Sequence, residues 1–301
     1  MLIGVDHGNK QIKTVHAAPF VSGLYRSITK PFGQSLQYHG NYYTLSHDRI
    51  PFHKDKTEDD RFFILTLIAI AEEMAARGID DSELHRIQLA VGLPPAHFGA
   101  QAESFTEYFC KRGNIEFSYR NRPYAISIER AACYPQAYAA AATMLHTLID
   151  DPKAVVLDIG GFTADYLMMR NGKGDLTACD SLENGVIFLY NKIRSKGNSE
   201  LDLLLDEGDV DAILEGRQAQ YPLAAVQLVE QLAQEFVNDL FSVLRERMLD
   251  LRHCKVVFVG GGAILLRRQI EASGKVGTPL FVTNINANAA GFEYLYRLET
   301  R

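Results

Sequence analysis

AVVLDIGGFTADY, residues 154–166, reads as a strand, a glycine turn and a second strand. Ala154 to Leu157 is an apolar, largely β-branched run of the kind that forms a buried strand. It ends on a lone carboxylate, Asp158. Gly160 and Gly161 follow at once, then Thr163 and a second strand-like run from Tyr166 to Met169. Glycine tolerates positive φ and carries no Cβ, so the N–H groups of such a turn can close on an anion. An acid beside a phosphate-sized backbone nest points to a nucleotide held with a divalent cation. Mg²⁺ takes one or two carboxylates together with water and the phosphates themselves.

The pattern occurs again at residues 2–14, LIGVDHGNKQIKT: an apolar run, Asp6, Gly8, a polar turn and a return strand from Gln11. Alone, Asp-x-Gly after a strand is ordinary turn chemistry. Two copies, one in each half, imply an internally duplicated protein of two domains. Its 301 residues suffice for two domains, and a break at Asp150-Asp151-Pro152 places the boundary just before the second hairpin. The expected division is residues 1–149 and 150–286, with a last helix, 287–301, packing back on the first.

Composition narrows the function classes. The chain is 47% hydrophobic and 23% charged, a globular balance, and its net charge of −6 gives no support to a nucleic-acid-binding surface. The longest apolar run, 62–71, falls short of the roughly 20 residues a membrane helix needs. Asp6 comes too early for a signal peptide. The four cysteines show no CxxC pairing and the nine histidines no cluster, so reduced thiols in a cytoplasm are expected, and no zinc site.

Other segments give a coarse outline. Residues 34–46 read as two short strands around His39-Gly40-Asn41, and 61–77 as an amphipathic helix stopped by Gly78. Residues 87–92 read as a buried strand broken at Leu93-Pro94-Pro95, and 101–112 as a helix. Residues 115–120 and 124–128 alternate like paired strands. In 131–148, Pro135 suits a helix start, and an alanine-rich helix is expected from Ala137. A helix over 186–196 follows Gly185. Ser199 with Asp202 resembles a capping box for a helix over 200–205. The longest periodic helix spans 222–251, with Leu223, Val226, Val229, Leu232, Phe236, Leu240 and Leu244 on one face. A strand from Val256 runs into Gly260-Gly261-Gly262. There a phosphate or a flat ring could approach the backbone, or the glycines could simply serve packing. Phe281–Thr283 reads as a strand, and a helix rich in small residues begins at Asn286. This helix and the one from Ala137 are expected to cross at the domain interface.

These five segments together resemble the actin-like ATPase superfamily, which includes actin, the seventy-kilodalton chaperones and sugar kinases. Residues 3–14 and 154–166 look like its two phosphate motifs, 256–266 like its adenosine motif, and 133–142 and 286–295 like its connecting motifs. The size, the short 20–60 insertion and the Pro-Gln connecting segment look most like ParM and StbA-type plasmid-segregation actins. The resemblance implies an α/β fold of the duplicated ribonuclease-H-like kind, two domains flanking a nucleotide cleft.

It also implies roles. Asp6, Gly8, Asn9 and Lys13 would meet the β- and γ-phosphates, although Lys13 also reads as an exposed strand lysine. Gly160, Gly161, Phe162 and Thr163 would form the second phosphate loop. Gly185, Gly260, Gly261 and Gly262 would line base and ribose. Asp6 and Asp158 would hold Mg²⁺ through water. Gln136 falls where the family positions the attacking water, and placement rather than a strong base is what phosphoryl transfer asks for; a helix-start cap is the other reading. His7 departs from the family pattern, and no Glu-x-x-Lys pair for adenine occurs in 197–217. ATP is therefore expected on resemblance, with GTP as the alternative. The expected activity is ATP hydrolysis coupled to filament formation in plasmid segregation. The partners would be further copies of the chain and a DNA-binding adaptor protein. A small-molecule kinase or a non-polymerising scaffold of the same superfamily is the alternative. A kinase needs a cleft base, and 131–142 offers only Gln136. With Arg301 straight after the closing helix, no peptide-binding domain is expected.

Overall fold

The computed structural model describes residues 1–79 and 83–300. The chain divides into two compact units, Met1–Thr143 with Asn286–Arg301, and Met144–Ile285.

The first unit opens with β1 (Leu2–His7), β2 (Gln11–Lys13), β3 (Phe20–Val21), β4 (Leu24–Ser27), β5 (Leu36–Tyr38) and β6 (Asn41–Leu45). It continues with α1 (Asp60–Ala76), β7 (Leu84–Leu93), α2 (Pro95–Cys110), β8 (Asn114–Tyr119), β9 (Arg122–Pro135) and a single-turn α3 (Tyr138–Ala141). Among the described residues its sheet has nine strands in the order β3-β2-β1-β7-β9-β8-β5-β6-β4. β1, β7 and β9 are parallel and central.

α1 is not the amphipathic helix its sequence suggested. Every residue from Phe62 to Ala71 is buried. A helix apolar on all sides has no face to give to water, so α1 serves as the core of the unit. The Asp59 side chain caps it by accepting from the Arg61 N–H at 2.9 Å. α2 begins earlier than expected, with Pro95 in its first turn, where the missing N–H costs nothing.

The largest departure lies at 131–148. β9 does not stop at Ile128 but pairs with β7 as far as Pro135↔Leu93. The alanine-rich segment then gives four residues of α3 and a 3-10 turn, Ala142–Thr147, instead of a long helix. Pro135 ends a strand, where its lack of an N–H is harmless. Strand pairing takes the segment as far as Pro135, and the alanines beyond it are left with a single helical turn and a 3-10 turn.

The second unit holds β10 (Ala154–Ile159), β11 (Ala164–Arg170), β12 (Lys173–Leu182), α4 (Val186–Leu201), α5 (Glu207–Leu214), α6 (Leu223–Glu246), β13 (Lys255–Val259), α7 (Gly261–Leu265), α8 (Arg267–Ala272) and β14 (Thr278–Phe281). Its five strands run β12-β11-β10-β13-β14. α6 buries Val229, Leu232, Phe236, Leu240 and Leu244 as its period requires, but Leu223 is exposed at the first turn. Two local readings fail. No helix starts at Ser199, because α4 continues to Leu201, and the capping box is Asp206 with Asp209 at the head of α5. The last strand ends at Phe281 instead of starting there.

The chain then returns to the first unit as α9 (Ala287–Glu299). α9 and α3 both belong to this unit, so their crossing is internal to it and is not a domain interface. Three glycines set the approach. A Cβ on Gly291 would stand 1.9 Å from the Ala139 carbonyl oxygen, one on Gly4 2.3 Å from the Ala289 oxygen, and one on Gly92 2.0 Å from the Phe292 ring. No described helix is long and apolar enough to cross a membrane.

Gly291→Ala should destabilise the protein by about 1–3 kcal/mol, because backbone must move to admit the methyl. Gly99→Ala, in an exposed turn of α2 with no atom within 4 Å of the new methyl, should stabilise by about 0.5–1 kcal/mol. Urea unfolding of both variants checks the pair.

Candidate functional site

Asp6 sits near the end of β1 and is buried. β2 returns antiparallel to it in the register Asp6↔Lys13. This brings the Lys13 ammonium to 3.5 Å from one oxygen of Asp6. The other oxygen accepts the Gln136 side-chain amide at 2.8 Å, across 130 residues of sequence. The reason is topological. β1, β7 and β9 are adjacent and parallel, so their ends come together. The Gln136 N–H closes the β9 end by donating to the Leu93 carbonyl at 2.8 Å. Gly8 permits the tight turn between the strands, because a Cβ there would lie 2.6 Å from the Gln11 carbonyl oxygen. Asn9 follows in the same turn, half-buried. Thus Asp6, Gly8, Asn9, Lys13 and Gln136 form one cluster.

Two residues of this cluster were not singled out as ligand or support from the sequence. Lys56 is buried and donates to the His7 carbonyl, on the backbone that leads into the Gly8 turn. Its ammonium also lies 5.5 Å from the centre of the Phe62 ring. The only local signal is a lysine between Asp55 and Thr57, which resembles any polar loop. Thr66, inside the apolar α1, bonds the His7 imidazole Nε2 at 2.7 Å. His7 is fully buried, with its ring stacked on Phe109 and edge-on to Phe105. Burial, and then the Lys56 charge, push the imidazole down to about 3. His7 is a neutral packing and hydrogen-bonding group beneath the turn.

In the second unit, Asp158 occupies the corresponding place on β10 and is buried. Its cross-strand partner on β11 is Asp165, where the first hairpin has Lys13. Like charges in register are unfavourable, and Asp165 is compensated by donors. Thr163 Oγ1 donates at 3.0 Å to one of its oxygens and Ser181 Oγ to the other. One half of the duplication therefore balances its acid with a lysine, and the other pairs it with a second acid.

The glycines of this half have separable reasons. Gly160 closes the turn by donating its N–H to the Thr163 carbonyl at 2.9 Å. The carbonyls of Gly160 and Gly161 accept from Val186 and Ile187, which satisfies the first N–H groups of α4. Gly185 must lack a Cβ because Gly161 O lies 2.2 Å from where it would be. The Gly185 N–H donates to the Phe162 carbonyl. Gly260 has φ +87°, and a Cβ there would sit 2.2 Å from an Asp158 carboxylate oxygen. Gly262 packs against Ile159 and Val186. Gly261 alone is exposed with nothing within 4 Å of a Cβ, and its bare backbone opens α7. Packing thus accounts for Gly260 and Gly262, and the open position is Gly261.

Asp6 in the first unit, and separately Asp158 in the second, each offers a buried carboxylate of the kind Mg²⁺ takes, an ion that needs one or two acids and leaves its other positions to water and phosphate oxygens. No group of three or more histidine, cysteine or acidic side chains poised for a metal occurs among the described residues.

A duplicated α/β fold with an acid at the head of each central hairpin defines an actin-like protein, and sequence and structure comparisons agree. The family described as "Actin like proteins N terminal domain" matches residues 4–138, and "Archaeal actin homologue MreB-like, C-terminal" matches residues 156–272. The chain belongs to the actin-like superfamily. Comparison with curated proteins found no match. Among solved structures, Ta0583, an archaeal actin homolog, aligns at TM-score 0.81 with 17% identity over 99% of both chains. Its complex with ADP aligns at 0.74 with 18% identity over 99% of both chains. The Alp12 filament structure aligns at 0.67 with 14% identity over 99% of this chain and 98% of that one. ParM of Bacillus thuringiensis with ATP aligns at 0.70 with 12% identity over 99% and 98%. At these identities the likeness establishes the fold.

The depressed His7 value carries a pH dependence. The unfolded chain protonates this imidazole below its ordinary 6.5, whereas the folded one resists until about 3. Stability from this group is therefore complete above pH 6.5 and falls as pH drops. Between pH 7 and pH 5 the loss should be about 2 kcal/mol. His7→Gln should flatten that segment of the stability–pH curve, as measured by urea unfolding at the two pH values.

Proposed function

We propose that this chain is a nucleotide-hydrolysing actin of the ParM kind, taking ATP with Mg²⁺ and assembling into filaments. The observation that carries the reading is the Gln136 amide on the Asp6 carboxylate at 2.8 Å, with Lys13 on the other oxygen. A neutral amide beside the first phosphate turn can orient a water for attack, and phosphoryl transfer is catalysed mainly by placement and charge neutralisation. Asp6, Gly8, Asn9 and Lys13 would serve the phosphates from the first unit. Asp158, Gly160, Gly161, Phe162 and Thr163 would serve them from the second. Gly185, Gly260, Gly261 and Gly262 would border the nucleoside, with Gly261 the open position. Asp6 and Asp158 would hold the Mg²⁺ through water, and the ion would neutralise charge on the phosphates. Nucleotides in the Ta0583 and ParM structures support the choice of ligand, and the Alp12 filament supports self-association. Plasmid DNA as cargo, an adaptor protein that binds it, and a cytoplasmic location follow from the ParM likeness.

A kinase reading gains nothing from Glu129, the acid nearest Gln136 along the sequence. Glu129 lies within β9, exposed, with Arg86 at 3.3 Å.

Gln136→Ala should slow phosphate release about 10-fold or more while nucleotide affinity stays near native, as for a group acting in the transition state. Asp158→Ala should abolish Mg²⁺-dependent binding or hydrolysis. Native hydrolysis in Asp158→Ala would remove the second hairpin from the site.

Assembly is checked by light scattering and pelleting with Mg²⁺ and ATP, ADP or a non-hydrolysable analogue. Filaments should form with ATP or the analogue and disassemble after hydrolysis. A chain that stays monomeric with the analogue at tens of micromolar is a scaffold or a kinase instead of a cytoskeletal actin.

A further inference from the structure

Gln136 reaches Asp6 because the chain bends sharply just after it. Ala137 has φ +62° and ψ −59°. The Tyr138 N–H closes on the Gln136 carbonyl at 2.6 Å, skipping one residue. This is the rarer of the two γ-turns, strained for any residue with a Cβ. Ala137 is fully buried, so its methyl is fixed in that conformation. Strain of this kind persists only where surrounding contacts over-determine it.

Three hydrogen bonds do so. The Gln136 N–H holds the Leu93 carbonyl on the β7 side. The Ala137 carbonyl accepts from Ala141 and begins α3. The third bond comes from far along the chain. The Ala137 N–H donates at 3.1 Å to the side-chain oxygen of Asn288, across 151 residues. Asn288 lies in the first turn of α9 and is 8% exposed. The turn of α9 that follows it is packed tightly, with Ala289 against Gly4 and Gly291 against Ala139. The amide next to Gln136 therefore takes its direction from a rigid, buried acceptor on another element.

We infer that Asn288 is a positioning residue for Gln136: by holding the Ala137 amide it maintains the strained turn that aims the Gln136 side chain at the Asp6 carboxylate. The role in hydrolysis rests on the reading of Gln136 given above. Without the acceptor, the buried Ala137 N–H would be unsatisfied and the turn free to relax toward a helical conformation. Gln136 would then swing away from Asp6, and Asp6, Lys13 and the phosphate turn would stay in place. The expected defect is thus in turnover and not in binding.

The test compares native protein, Asn288→Ala, Asn288→Asp and Asn288→Ala combined with Ala137→Gly, reading phosphate release and nucleotide affinity separately. Asn288→Ala should release phosphate about 10-fold more slowly with affinity within about twofold of native. Asn288→Asp keeps the acceptor and should stay within about threefold of native. Glycine accepts positive φ without cost, so Ala137→Gly should restore at least about threefold to Asn288→Ala. Native turnover in Asn288→Ala, or a parallel loss of rate and affinity, overturns the inference. Should that variant fail to fold, amide hydrogen exchange on the native protein decides. A slowly exchanging Ala137 N–H supports the inference, and prompt exchange overturns it. A native chain that binds nucleotide but never hydrolyses it overturns the reading of Gln136 itself. Native hydrolysis together with a fully active Asn288→Ala overturns only the part assigned to Asn288.

Discussion

Arg77 holds two buried carboxylates at once, and the first unit is built around that contact. Its guanidinium donates to Glu73 at 2.8 Å, to Glu293 at 2.6 Å and to the Leu2 carbonyl at 2.8 Å. Glu73 and Glu293 are both almost fully buried. Burial alone would raise the Glu73 carboxyl, but the hydrogen bonds it accepts, from His16 and Arg77 among others, take it down to about 2. Glu293 also accepts the Gly4 N–H at 3.1 Å and pairs with Arg297 at 2.6 Å. A buried ion pair adds little net stability over an apolar replacement. Removing one partner leaves the other charged and dry, at a cost of about 3–5 kcal/mol. Such a network specifies an arrangement more than it strengthens it. Here it fixes α9 onto α1 and β1, and through the His16 and Ala17 amides on Glu73 it also fixes the chain just beyond β2. The strand that carries Lys13 and the helix that carries Asn288 are thus tied to the same Glu73–Arg77 pair.

The parts legible in the sequence were those whose cause is local. A strand, an acid and a glycine turn follow one another along the chain, so both hairpins could be read, with their acids, before any contact was known. Lys13 is placed by resemblance, through the family's spacing from the first acid, and the antiparallel register sets it opposite Asp6. Gln136 was placed only by resemblance, since nothing in Tyr-Pro-Gln-Ala announces a carboxylate 130 residues upstream. Lys56, Glu73, Glu293 and Asn288 could not be read at all. Each is an ordinary polar residue in its own stretch and acquires meaning from a distant partner. The long helix expected from Pro135 did not form, because β7 pairs with the chain as far as Pro135 and the alanines beyond it make only a short turn of helix. The Ser199 pattern failed because α4 had not yet ended, which left no N-terminus there to cap.

The duplication is clear in backbone and absent in chemistry. Both hairpins set an acid opposite the residue seven positions on, but one finds lysine and the other aspartate. The second hairpin then depends on Thr163 and Ser181 to keep Asp165 satisfied, and on the positive φ of Gly260 to leave room for Asp158. The divergence gives the two hairpins different local charge: a lysine beside the acid in one, a second acid in the other.

The return of α9 to the first unit also orders events on the ribosome. The second unit is continuous from Met144 to Ile285, so all of its strands are synthesised before α9. Until then the cradle formed by Gly4 and Gly92 lies uncovered, and Glu73 and Arg77 lack the third member of their network. The half of the protein synthesised first is therefore the half completed last, and the growing chain carries an open apolar seam for as long as translation takes to pass through the intervening domain.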